Sequence, residues 1–250
     1  MGVNYNPFSL EGKTILVTGA SSGIGRATAI ECSRLGASLV IVGRNKERLQ
    51  ETFDMLDVKE GNVQILADLT KSEDILKIAL EIPILDGLVN NAGVGHTSLI
   101  RFITQNDADF VFQNNTFAPI LLTKEILKKK KISKGGSIVF TSSIAPFTNS
   151  LGNALYSASK AAISSYIRTC ARELADKQIR ANAICPGMIE TKLIKDGALS
   201  DEDLQKDMDK YPLKRYGKPE EVAYSIVYLL SDATKWMTGS SIVLDGGCTL

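Results

Sequence analysis

The chain has 250 residues, of which 44% are hydrophobic and 23% charged, with a formal net charge of +1. These are values of an ordinary globular protein long enough to bury a large core. Near-neutrality removes any electrostatic case for nucleic acid or an anionic membrane surface as partner.

The first residues, MGVNYNPFSLEGK, have neither the apolar core nor the cleavage pattern of a signal peptide. No apolar run approaches the ~18 residues of a membrane span, so a cytoplasmic protein is expected. Apolar runs then alternate with amphipathic segments. Strands are predicted over 14–18, 38–42, 63–67, 87–90, 137–141, 180–184 and 241–244. Several are continuous and rich in Val and Ile, as strands covered on both faces should be. Helices are predicted over about 24–35, about 46–56, after Thr70, about 116–130 and about 154–175.

The lysine run 128–131 reads as a solvated helix end. The helix after Gly217 has Pro219 in its first turn beside Glu220 and Glu221. Val222, Ile226, Leu229 and Leu230 form its apolar stripe. The alternation predicts one α/β domain of the Rossmann type, a doubly wound and mostly parallel seven-stranded sheet with helices on both faces. The polar stretch at about 188–216 interrupts it and reads as a loop insertion near the active face.

Cys32, Cys170, Cys185 and Cys248 form no C-x-x-C pair, and His96 is the sole histidine. No metal site is expected, and dispersed cysteines fit a reducing compartment. His96 reads as a loop residue and Trp236 as packing near an interface.

The first predicted strand ends in Thr18-Gly19-Ala20-Ser21-Ser22-Gly23-Ile24-Gly25 and runs straight into a helix. Glycines let backbone approach a pyrophosphate, and the free N–H groups of a helix N-terminus receive it. The second strand ends Val42-Gly43-Arg44-Asn45, with no carboxylate to repel a ribose 2′-phosphate and with an arginine able to grip one. NADP(H) is therefore expected as cofactor, with NAD(H) the alternative. Ser22 stands where a basic residue would strengthen that reading.

Tyr156 and Lys160 are four apart on a predicted helix and share a face. An ammonium ~4 Å from the phenol would favour the phenolate by up to about 4 kcal/mol, bringing Tyr156 toward neutrality as an acid/base catalyst.

The T-G-x-x-x-G-x-G turn, Tyr156-x-x-x-Lys160 and Ser143 thirteen residues before the tyrosine together resemble the short-chain dehydrogenase/reductase family, in its branch of 3-oxoacyl-carrier-protein reductases. The similarity runs from about Leu10 to Gly247. It implies an oxidoreductase that moves a hydride between the nicotinamide and a carbonyl or alcohol. Ser143, Tyr156, Lys160 and Asn115 would be its catalytic residues, with Ser142 and Asn114 as competing registers. The cofactor contacts it implies are Gly19, Ser21, Ser22, Ile24 and Gly25 in the turn, and Gly43, Arg44 and Asn45 after the second strand. Further along they are Asp68 and Leu69, Asn91, Ala92 and Gly93, Thr141, then Pro186, Gly187, Ile189 and Thr191, with Tyr156 and Lys160 themselves.

A small-molecule substrate is expected, with a 3-oxoacyl compound or another ketone first. Its walls would come from His96 onward, from 144–155 and from 188–211. Phe147, Leu151, Met188, Leu193 and Ile194 would be apolar lining, and Lys192 or Lys195 would meet an anionic group. The resemblance also implies a homotetramer or homodimer, paired in part through Ala154, Ala158, Ala161 and Ala162. The alternatives are an NAD-dependent alcohol dehydrogenase acting on a steroid, sugar or polyol, and a non-catalytic NADP-binding sensor or scaffold.

Overall fold

The computed structural model describes residues 5–57, 61–191 and 201–250. Seven strands form one sheet: β1 (Thr14–Thr18), β2 (Ser38–Gly43), β3 (Val63–Leu66), β4 (Leu85–Asn90), β5 (Ile132–Thr141), β6 (Arg180–Pro186) and β7 (Ser241–Leu244). All pairs are parallel, in the order β3-β2-β1-β4-β5-β6-β7. Among the described residues the α-helices are α1 (Gly23–Arg34), α2 (Lys46–Asp54), α3 (Ser72–Glu81), α4 (Gln105–Phe112), α5 (Ala118–Lys128), α6 (Ala145–Thr148), α7 (Ala154–Glu173), α8 (Asp201–Met208) and α9 (Pro219–Leu230).

Side chains alternate across the strands into two cores. Leu16, Leu88, Ile138 and Phe140 face one side, where Leu122 of α5 and Ile163 of α7 cover them. Ile15, Val17, Val89 and Val139 face the other, beneath Ala29 of α1 and Ile226 of α9. Burial on both faces explains why these strands read as unbroken apolar runs.

The chain reverses its direction of travel across the sheet between β1 and β4. In doubly wound sheets the ligand crevice opens at the carboxyl ends of the strands at such a switch point. Here the two loops meet closely: a Cβ on Gly19 would lie 2.9 Å from the Ala92 Cα.

Two expectations need correction. The predicted helix over 116–130 is the second half of a longer helical run, α4 and α5 joined by a π turn at Gln113–Phe117. The lysine run is not simply a solvated helix end: α5 stops at Lys128, Lys130 takes φ 55°, and Lys131 Nζ donates to the Ile82 carbonyl at 2.6 Å. That carbonyl closes α3, so the amine completes a neighbouring helix end. Trp236 is fully exposed on the single chain. No helix among the described residues is long and apolar enough to cross a membrane.

Candidate active site

The glycine-rich turn is held from three sides. Thr18 Oγ1 accepts from the backbone N–H groups of Asn91 and Ala92, both at 3.0 Å, and donates to the Val89 carbonyl at 3.2 Å. Asn91 Nδ2 donates to the Thr18 carbonyl at 3.1 Å, and Asn91 Oδ1 accepts from Thr141 Oγ1 at 3.2 Å. Asn91 is thus a cross-strand clamp whose amide spans β1, β4 and β5. Gly19 has φ 66°, and a Cβ on Gly25 would collide with the Gly19 carbonyl oxygen, so the turn closes only without those side chains.

Arg26 was not singled out by the sequence, yet it fixes the same turn. Its guanidinium donates to the Ser21 carbonyl at 2.9 Å, to the Arg48 carbonyl at 3.0 Å, to Thr52 Oγ1 at 2.9 Å and to Glu51 at 2.8 Å. Thr52 Oγ1 in turn donates to the Ala20 carbonyl at 2.9 Å. The only sequence signal was an arginine one residue past the last glycine of the turn.

This surrounding fits a dinucleotide. Ser22 stands at the N-cap of α1 without a side-chain capping bond, and the first turn has no acidic residue. The first N–H groups of a twelve-residue helix and its positive end therefore face the loop. Gly43 packs against Ser21 and Leu49, where a Cβ would meet the Leu49 side chain at 3.2 Å and the Ser21 Cβ at 3.4 Å. Arg44 is exposed at the end of β2.

Asp68 lies close enough to feel the Arg44 charge. Burial pushes its carboxyl up, but hydrogen bonds from Thr70 and the charges of Arg44 and Lys71 outweigh this and leave it below the usual range. Two expected contacts are otherwise engaged. Asn45 caps α2, its Oδ1 accepting from the Arg48 N–H at 2.8 Å. The Leu69 side chain is turned into the core. Beyond β6, Gly187 N–H donates to the Leu244 carbonyl at 3.0 Å, the Pro186 carbonyl accepts from the Ile144 N–H at 3.1 Å and Ile189 pairs with Gly217. Thr191 reaches back to the turn, its methyl 3.2 Å from where a Gly23 Cβ would stand.

Across the crevice, β5 ends at Thr141 and Ser142–Ser143 follow. The two serines face opposite ways. Ser142 Oγ donates to the Lys160 carbonyl at 3.2 Å and meets Ser164 Oγ at 3.0 Å, so it belongs to the contact with α7. The Ser143 hydroxyl accepts from the Ala145 N–H at 3.0 Å and lies near enough to the Tyr156 phenol to favour its ionised form. Lys160 is buried, and its Nζ donates to the Thr141 carbonyl at 2.8 Å and lies 5.8 Å from the Tyr156 ring centroid.

The electrostatic expectation for Tyr156 is reversed in the chain by itself. Burial raises the phenol, only partly offset by the Ser143 hydroxyl, and burial pushes Lys160 down to about 8. Desolvation disfavours the charged form of both groups, and the ammonium is turned to a carbonyl instead of the phenol.

Asn115 sits in the π turn with both ends of its amide used. Oδ1 accepts from the Val94 N–H at 2.8 Å, and Nδ2 donates to the Val94 carbonyl at 2.9 Å and to Ser159 Oγ at 3.2 Å. Its neighbour Asn114 is half-buried and donates to the Phe110 carbonyl at 2.9 Å. Asn115 Oδ1 and Lys160 Nζ lie 3.0 and 3.5 Å from the point a Gly93 side chain would occupy, so the missing side chain leaves a space that both face.

The expected substrate walls are open. Phe147, Leu151 and Met188 are exposed, and Lys192, Leu193, Ile194 and Lys195 lie outside the described residues. A cavity of about 810 Å³ is lined by Ile100, Arg101, Pro146, Leu151 and Ser157 among others, but not by Tyr156 or Ser143. His96 Nε2 pairs with Asp107 at 3.1 Å, tying its loop to the start of α4.

A family model described as enoyl-(acyl carrier protein) reductase matches residues 19–249. The chain belongs to the short-chain dehydrogenase/reductase family. It is similar to the 3-oxoacyl-[acyl-carrier-protein] reductase FabG of Aquifex aeolicus, 36% identical over 246 residues, which cover 95% of this chain and 98% of that one. A protein of the same description from Thermotoga maritima is 34% identical, covering 96% and 99%. The fold matches a crystal structure described as a dehydrogenase/reductase from Sinorhizobium meliloti 1021, with a TM-score of 0.90, 31% identity and 98% of each chain covered. Membership makes the chain an oxidoreductase acting on a carbonyl/hydroxyl pair.

Proposed function

We propose that the protein is an NADP(H)-dependent reductase of 3-oxoacyl thioesters, with Tyr156 as proton donor to the carbonyl oxygen. The observation that carries the reading is the convergence of three groups at the mouth of the nucleotide crevice: Ser143 Oγ held by the Ala145 N–H at 3.0 Å, the Tyr156 phenol it acts on, and Lys160 Nζ 5.8 Å from the Tyr156 ring centroid. Two hydroxyls converging on one point suit a carbonyl oxygen that becomes an alkoxide.

The turn Gly19 to Gly25, the N-terminus of α1, Arg44 and Thr191 would hold the cofactor, and Asp68 would border the adenine. When bound, the nicotinamide supplies the hydride for the carbonyl carbon. Tyr156 gives its proton to the oxygen, and Ser143 donates a hydrogen bond to the same atom and orients it. Being driven up by burial, the phenol holds its proton at neutral pH, as a donor in the reducing direction must. Lys160 keeps a positive charge behind the phenol and stabilises the phenolate left after transfer. Asn115 and Lys160 face the space beside Gly93, where a proton can be resupplied. The names of the relatives support the 3-oxoacyl class, and Arg44 with no carboxylate at the end of β2 supports the phosphorylated cofactor.

The test is a fluorescence titration with NADPH and NADH, repeated with Arg44→Ala, followed by turnover of a short 3-oxoacyl thioester and of the matching 2-enoyl thioester. NADPH binding that weakens selectively in the variant, with consumption of the oxo compound, is expected. Tighter NADH binding indifferent to Arg44→Ala would overturn the cofactor, and turnover of the enoyl compound alone would overturn the substrate.

A further inference from the structure

We infer that Ser159 is a positioning residue, fixing the Asn115 amide and through it the space shared with Lys160 Nζ. Ser159 is completely buried in α7, directly before Lys160. Its hydroxyl donates to the Tyr156 carbonyl at 2.7 Å, a back-bond of the kind helical serines make with the preceding turn. With its proton committed there, the oxygen offers only lone pairs outward. It takes one N–H of Asn115 Nδ2 at 3.2 Å.

A serine satisfied by back-bonding alone would need no partner from another helix. Here two consecutive residues of the π turn are aimed at it: Asn115 at its side chain, and Thr116 Oγ1 at its carbonyl at 3.1 Å. An α-helical path through 113–117 would not carry the extra residue that a π turn accommodates, and such insertions gather at functional sites. The widened turn is thus docked onto α7 through one residue, next to Tyr156 in the hydrogen-bonded sense and next to Lys160 in sequence.

The Val94 backbone pair already decides which end of the Asn115 amide is oxygen. Ser159 supplies the third bond, and that bond holds the amide against rotation about its side-chain bonds. Without it, one buried N–H is left unpaired, which favours a displaced amide. Oδ1 then leaves the point beside Gly93 that it shares with Lys160.

The activity arm of the test rests on the proposed carbonyl reduction; the other arm does not. In cofactor-free protein, the exchange of the Asn115 side-chain amide protons is followed by NMR in wild type and in Ser159→Ala. Both protons should be protected in wild type, and exchange should rise by about tenfold or more in the variant. In turnover, Ser159→Ala and Asn115→Ala should each displace the pH profile in the same direction. Ser159→Ala should add nothing in an Asn115→Ala background.

Unprotected Asn115 amide protons in wild type would overturn the inference. So would effects of the two substitutions that multiply. If Ser159→Ala does not fold, Ser159→Cys, slightly larger and a weaker acceptor, carries the same expectations. Absence of any carbonyl turnover in wild type would sink the proposed function while leaving the exchange result to decide the role of Ser159.

Discussion

Lys160 Nζ donates to the Thr141 carbonyl at 2.8 Å, so this buried ammonium of the crevice is anchored to the end of β5. Burial pushes this amine down from 10.5 to about 8. A depressed amine binds fewer protons in the folded chain than in the unfolded one between those two values, so folding stability rises with pH across that window. Below about pH 8 the penalty of a buried ammonium is fully present. Lys160→Met, which has no such group, should lack the rise. The stability difference between the two proteins should move in favour of wild type by up to about 3 kcal/mol as pH goes from 8 to 10.5, read from urea midpoints at a series of pH values. A difference that stays flat would mean that Lys160 is hydrated in solution.

Tyr156→Phe removes the phenolic oxygen and keeps the ring. If the tyrosine is the proton donor, turnover falls by about 10²–10⁴-fold while dinucleotide affinity changes little. Stopped assays with and without the variant, alongside the same fluorescence titration, separate the two effects. Unchanged affinity with no turnover in wild type either would favour the sensor reading over the enzyme.

Strand limits were largely legible, since two-sided burial writes itself into sequence as Val- and Ile-rich runs: β1 and β7 have the predicted bounds, and β2 and β3 differ by one residue. Helix α4 was not recognised, although Thr104 and Asp107 form a capping box whose spacing is visible in the sequence. The π turn was not legible, because what stabilises it is a set of contacts with Val94 and Ser159 that are distant in the chain. Ser143 and Tyr156 could be paired by spacing, but the direction in which Tyr156 is driven could not. That direction follows from how deeply α7 seats the ring and where Lys160 points.

Gly25→Ala should be severely disruptive for a stated reason. The new methyl would meet the Gly19 carbonyl oxygen and, at 2.6 Å, Asn91 Nδ2, neither of which is the free end of a flexible chain. Overpacking of this kind costs about 1–3 kcal/mol, and here relief requires the turn to open. A lowered Tm with loss of dinucleotide binding is expected. Retained affinity would show that the turn is looser than its contacts imply.

Thiol chemistry should distinguish one cysteine from three. Cys32, Cys170 and Cys185 are buried, and burial drives all three thiols up, with the Glu31 charge adding to the effect at Cys32. Cys248 alone is partly exposed. A maleimide reagent at neutral pH should therefore label one site in the native protein and four after unfolding, as mass spectrometry would count.

Arg26 offers the sharpest separation of scaffold from ligand contact. Its guanidinium joins α1, the turn at Ser21 and α2, and its bond to Glu51 is the part nearest solvent. Salt screening should therefore leave most of its effect intact. Arg26→Ala should lower stability by about 1–3 kcal/mol and weaken NADPH and NADH binding in equal proportion, since it acts on the shape of the turn and not on the 2′-phosphate. Arg26→Lys should not restore it, because a point charge on a flexible stem cannot satisfy several acceptors at fixed angles. Equal loss for both cofactors in Arg26→Ala, set against selective loss in Arg44→Ala, would assign the first arginine to the turn and the second to the phosphate. Selective loss of NADPH in Arg26→Ala would instead move the phosphate contact onto Arg26.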